Sequence, residues 1–148
     1  GFVDRVGWNG RWRTTKTTTL RGRVDSWRDQ DRSGQTFGLD ADWRSLWSDT
    51  SAVLVSAFLA DGGFTSGPGA SVSVRDRFGT CSWRATYRWY RYELDALVTG
   101  SESYTRQSVE LGLNAPLGRD GDLDFAVERW FGDREDSLAF SLYLQWRF

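Results

Sequence analysis

Two carboxylate pairs, Asp40 with Asp42 and Asp122 with Asp124, and a long series of arginines are where this chain carries its chemistry. Carboxylates two residues apart share one face of a strand, and such pairs can do general acid–base work. The chain has no histidine. That removes Ser–His and Cys–His nucleophiles, the usual imidazole base and the commonest metal ligand. Beside arginines of the same spacing, the carboxylates read more simply as ion-pair partners held by charge-assisted hydrogen bonds. Cys81, the single cysteine, has no internal disulfide partner and reads as a small packing residue. Gly62-Gly63 and Gly67-Pro68-Gly69 lack a P-loop lysine and read as turns. The sequence therefore predicts a protein that is not an enzyme, with no cofactor and no metal site. Arg88-Trp89-Tyr90-Arg91-Tyr92 mixes cations and rings as a nucleic-acid surface does. A net charge of −1 gives no support to that partner, and no nucleic acid is expected.

The elements that must position these groups show a period of two. Phe37, Leu39, Ala41, Trp43 and Trp47 alternate with Asp40, Asp42 and Arg44. Val72 and Val74 alternate with Ser71, Ser73, Arg75 and Arg77. Val109, Leu111 and Leu113 oppose Arg106, Ser108, Glu110 and Asn114, and Leu123, Phe125 and Val127 oppose Asp122, Asp124 and Glu128. Strict alternation predicts strands with one apolar and one polar face. Segments rich in Gly, Asp and Ser separate eight such stretches, at 17–27, 35–47, 51–60, 69–78, 82–98, 104–115, 122–131 and 137–148. The 82–98 stretch is overlong and changes phase near residues 89–91, which predicts a bulge or an end that protrudes. No run approaches the roughly 18 apolar residues of a helical membrane span.

The last stretch alternates without a break: Leu138, Phe140, Leu142, Leu144, Trp146 and Phe148 against small or polar residues. It resembles the closing strand of bacterial outer-membrane β-barrels, which carries a terminal aromatic and apolar residues at alternate positions before it. The resemblance implies that Phe140, Leu142, Leu144, Trp146 and Phe148 form a signal for the barrel-assembly machinery. With eight stretches, the architecture resembles the OmpA membrane domain and OmpX. The expected fold is all-β: an eight-stranded, antiparallel, up-and-down transmembrane barrel over residues 17–148. Residues 1–16 would be a short N-terminal periplasmic arm or an extra strand, because Val6, Trp8 and Trp12 alternate with Arg5, Asn9, Arg11 and Arg13. A ninth strand would break the parity that puts both ends of an eight-stranded barrel on one side, unless further residues precede it.

That scheme sorts the side chains. An interior charge network is expected of Arg21, Arg23, Asp40, Asp42, Arg44, Arg75, Arg77, Arg84, Arg88, Arg106, Glu110, Asp122, Asp124, Glu128 and Arg147, filling a barrel just wide enough for side chains. Hairpin closure about the middle of the 28–34 and 132–136 segments places Arg23 opposite Asp40, Arg21 opposite Asp42 and Asp122 opposite Arg147. Trp47, Trp83, Trp89, Tyr92, Tyr104, Arg129 and Trp130 are expected at the lipid interfaces, with Arg129 toward lipopolysaccharide. The implied role is a membrane anchor, an envelope-stabilising protein or a surface-interaction protein in the bacterial outer membrane. Its partners would be lipid and lipopolysaccharide, the assembly machinery, and a protein docking on the external 82–115 hairpin. Two other readings remain: the C-terminal part of a larger export channel or porin, and a soluble lipocalin-like binding barrel.

Overall fold

The computed structural model describes residues 4–29, 32–62, 66–96 and 100–147. Among these residues, nine strands run in chain order through one sheet: β1 (Asp4–Arg13), β2 (Thr18–Arg28), β3 (Ser33–Arg44), β4 (Ala52–Gly62), β5 (Gly67–Phe78), β6 (Cys81–Ala96), β7 (Gly100–Leu117), β8 (Gly121–Gly132) and β9 (Asp136–Trp146). Every strand pairs antiparallel with its sequence neighbour, so the sheet is an up-and-down meander. No helix occurs among the described residues.

Three expectations are corrected here. The strands among the described residues number nine instead of eight, and of the two readings of residues 1–16, an arm or an extra strand, Asp4–Arg13 takes the strand, with Trp8 opposite Val24 and Trp12 opposite Leu20. The sheet is not closed: β1 and β9 are its two edges, and strands contact only their sequence neighbours. Of the bulge or protruding end expected of the overlong 82–98 stretch, the bulge does not occur. Pairing of β6 with β7 continues unbroken from Ser82 opposite Asn114 to Ala96 opposite Gly100. On the apolar face, side chains turn polar past Trp89 and Val109, at Arg91 and Gln107, so the long hairpin runs beyond the apolar band.

Register differs as well. The β2–β3 turn closes between Asp29 and Arg32, whose backbone groups bond at 2.7 and 3.4 Å. Arg21 therefore stands opposite Asp40, Arg23 opposite Gly38 and Asp42 opposite Thr19. Asp122 stands opposite Gln145, not Arg147, although the Arg147 guanidinium still reaches it diagonally at 3.2 Å. Moving a turn centre by one residue moves every cross-strand partner by two, which keeps the faces and changes the pairs.

The sheet has no apolar core. Ala52 is the one buried hydrophobic residue among those described, while Leu39, Leu59, Leu111 and Leu142 are more than half exposed. The buried side chains are polar: Ser108 is 0% exposed, and Thr86 and Asp42 are each 7% exposed. In a single layer, side chains lose exposure only by crowding one another, as they do when a sheet bends over one face. The polar face is therefore concave and the apolar face convex.

Candidate functional site

The concave face gathers the expected charge network in rows, because cross-strand partners project to the same side. One row runs Arg44, Ala52, Arg75, Arg84, Gly112, Ala126 and Ser141 across β3 to β9. The next, one step up, runs Thr19, Asp42, Leu54, Ser73, Thr86, Glu110 and Glu128. All fifteen residues expected in the charge network (Arg21 to Arg147) lie on this face by strand parity. Since the sheet is open, they line a concave surface and do not plug a closed interior.

Within it, one ion-pair cluster is tightly built. Glu110 accepts from Arg84 Nη2 and Arg88 Nη2, both at 2.5 Å, and Arg88 Nη1 donates to Glu128 at 2.8 Å. The last contact passes over β7 from β6 to β8, which the bend of the sheet allows. Elsewhere Arg44 holds Asp42 on its own strand at 3.0 Å, Arg23 lies 3.8 Å from Asp25, and Asn114 donates to Asp124 at 2.8 Å. Arg21, Arg75 and Arg77 make no ion pair with a described residue.

Two concavities open on this face. One of about 350 Å³ is lined by Arg21, Asp42, Arg44, Ala52, Leu54, Ser73, Arg75 and Arg84. Its neighbour of about 390 Å³ shares Arg75 and Arg84 and adds Asn114, Asp124 and Tyr143 among others. Alternation alone did not reveal these concavities, because they depend on which rows coincide. Among the described residues, no group of three or more His, Cys, Asp or Glu gathers as metal ligands.

The aromatic residues divide between the faces. Trp83 and Trp89 lie on the convex face with Val109, Leu111 and Phe125. Tyr92, Tyr104 and Trp130 do not; their rows place them on the concave side. Tyr92 and Tyr104, cross-strand partners, stack at 5.2 Å between ring centroids, and the Arg106 guanidinium sits 3.8 Å over the Trp130 ring. The expected interface girdle therefore fails at these three positions, where aromatic and arginine side chains pack together above the charge rows. Trp47 belongs to the β3–β4 turn, where its indole Nε1 donates to Asp76 at 2.6 Å. Ser48 and Thr50 hydroxyls donate to the same carboxylate at 2.7 and 2.6 Å, fastening this turn to β5. Arg129 is on the convex face and paired with Asp136 at 3.2 Å, so it is not a bare cation.

The terminal pattern has a definite place. Leu138, Phe140, Leu142, Leu144 and Trp146 share the convex face of edge strand β9, paired to β8 through Trp146 opposite Gly121. Phe148 lies outside the described residues. Comparisons with protein-family models, with curated proteins and with solved structures gave no match to the chain.

Proposed function

We propose that this sheet is part of the wall of a transmembrane β-barrel, with lipid against its convex face and water against its concave face. The observation that carries the reading is the placement of apolar side chains. Most large apolar side chains lie on one face of a single layer with no other described strand packed over them. Trp27, Leu54 and Phe58 are among those on the opposite face, and the buried side chains among the described residues, other than Ala52, are polar. In water the apolar face would have no cover; against hydrocarbon it is solvated. Strand length agrees: β1 to β5, β8 and β9 have 10 to 12 residues, close to the roughly 9–11 that a tilted strand needs to cross a bilayer.

Strand direction favours a larger barrel over a small pin. β1 and β9, both odd in an up-and-down order, run the same way, so closing them on each other would need a parallel pair. An odd number of additional strands would restore antiparallel pairing throughout. A water-filled lumen needs a barrel of more than eight strands, and the charged concave face suits one. The reading is thus an envelope channel or scaffold wall in a bacterial outer membrane, with β9 as the assembly strand. Lipid and lipopolysaccharide would cover the convex face, where Arg129 meets anionic headgroups only in competition with Asp136. The β6–β7 hairpin, which runs beyond the apolar band, is the natural surface for a protein partner. A soluble lipocalin-like barrel would need an apolar concave face, and here that face carries the ions.

Nitroxide labels test this in lipid vesicles on a Cys81→Ser background. Labels at Val55→Cys, Leu111→Cys and Leu142→Cys are expected to collide preferentially with oxygen. Those at Ser56→Cys, Ser73→Cys and Ser141→Cys should collide preferentially with a water-soluble nickel chelate. Equal access of the nickel chelate to both sets would sink the reading.

A further inference from the structure

The row Arg44–Ala52–Arg75–Arg84 sets three guanidinium groups on adjacent or next-adjacent strands. Arg75 and Arg84 are direct cross-strand partners, an arrangement of like charges that disfavours the folded sheet. Between Arg44 and Arg75 stands only Ala52, whose methyl leaves the space above it open. Arg21 completes the rim of the same 350 Å³ concavity.

The carboxylates nearby answer Arg44 and Arg84 but not Arg75. Asp42, the one carboxylate in the lining, is engaged by Arg44 at 3.0 Å. Glu110 takes Arg84 and Arg88, and Arg88 also has Glu128, so these two arginines are matched by two carboxylates and none of that charge reaches Arg75. Asp40 faces Arg21 as its cross-strand partner without an ion pair. Asp124 lines the neighbouring concavity and bonds Asn114. Arg75 is left with like charge opposite and no counter-ion from the described chain.

We propose that this row is a binding site for a soluble multivalent oxyanion of the phosphate class, held by Arg75 and Arg84 with Arg44 and Arg21 at its edges. Guanidinium forks match the paired oxygens of phosphate and stay charged at all working pH values. A volume of 350 Å³ suits a small phosphate ester or pyrophosphate, being near the lower end of small-ligand sites. Neutralising the Arg75–Arg84 repulsion gives the anion a differential affinity that a solvated surface arginine lacks. The site goes beyond the barrel-wall reading, since the row lies on the concave face whatever medium meets the convex one.

Isothermal titration of the full chain, refolded in zwitterionic micelles at fixed ionic strength, tests the site with pyrophosphate as the probe. Saturable binding is expected, weakened tenfold or more by Arg75→Ala. Arg77→Ala, two residues along the same face but outside the lining, should leave it within twofold. Arg75→Lys, which keeps the charge and the fold but loses the fork, should fall between them. No saturable binding, or equal weakening by Arg75→Ala and Arg77→Ala, overturns the proposal. Doping the micelles with phosphatidylglycerol separates the two sources of phosphate. Pyrophosphate affinity unchanged by the lipid supports a soluble ligand, and competition by the lipid overturns it in favour of a headgroup site.

Discussion

Glu110 shows what single residues do on the concave face. It joins two arginines four residues apart on β6 that would otherwise repel, and Arg88 extends the chain of pairs to Glu128. The Glu110 side chain is 12% exposed and that of Arg84 is 56% exposed, so water screens part of the interaction. Replacing Glu110 by Gln leaves both guanidinium groups with an amide and should lower stability by about 1–2 kcal/mol, between the surface-pair and buried-pair limits. Asp122→Asn, which loses the exposed contact to Arg147, should change stability by less than about 0.5 kcal/mol. Urea midpoints of the two variants in the same micelles check the order. An equal effect would mean that the Glu110 cluster is no better shielded than the rim pair.

Strands carry a second device, the placing of a large ring across a glycine on the neighbouring strand. Trp27 faces Gly34, Phe58 faces Gly69 and Trp146 faces Gly121, each as direct cross-strand partners. A Cβ at Gly69 would lie 2.3 Å from Phe58 Cζ and 2.8 Å from Tyr90 Cδ1. Gly69→Val should therefore cost about 1–3 kcal/mol through overpacking. Phe58→Ala in the same chain should recover part of that loss, and a double-mutant cycle by urea unfolding reads the coupling directly. Additive effects would show that ring and glycine act independently. At this scale the sequence was most legible where alternation was strict. Leu138 to Trp146 and Phe37 to Trp43 announced their faces, and every residue of the expected charge network lies on the polar side. Period two assigns faces but cannot assign rows. Partners depend on turn centres, and the turn at Asp29–Arg32 shifted Arg21 from Asp42 to Asp40. Tyr92, Tyr104 and Trp130 depart from the expected interface for a related reason: strand parity sets the face of an aromatic ring wherever along the strand it stands. The Arg44–Arg75–Arg84 row needed three registers at once, so no local pattern announced it.

Across the whole molecule, closure is the property that no stretch of sequence encodes by itself. The alternation of Val6, Trp8 and Trp12 was visible, but the parity of an eight-stranded barrel argued against counting it as a strand. The structure makes it β1 and leaves both β1 and β9 bonded on one side only. In an antiparallel edge strand, alternate amides point away from the only neighbour. An unpaired backbone group costs several kcal/mol in hydrocarbon, so the proposed barrel wall requires its edges to be covered within a membrane. Hydrogen exchange on the chain refolded in micelles makes the edges measurable. Alternate amides of β1 and β9 should exchange rapidly, while those of β4, β5 and β6, bonded on both sides, stay protected. Protection along the whole of β9 would mean that another strand already lies against it. A pattern that disappears as protein concentration rises would identify that strand as one from a second copy, and concentration-independent protection would point to closure within the chain.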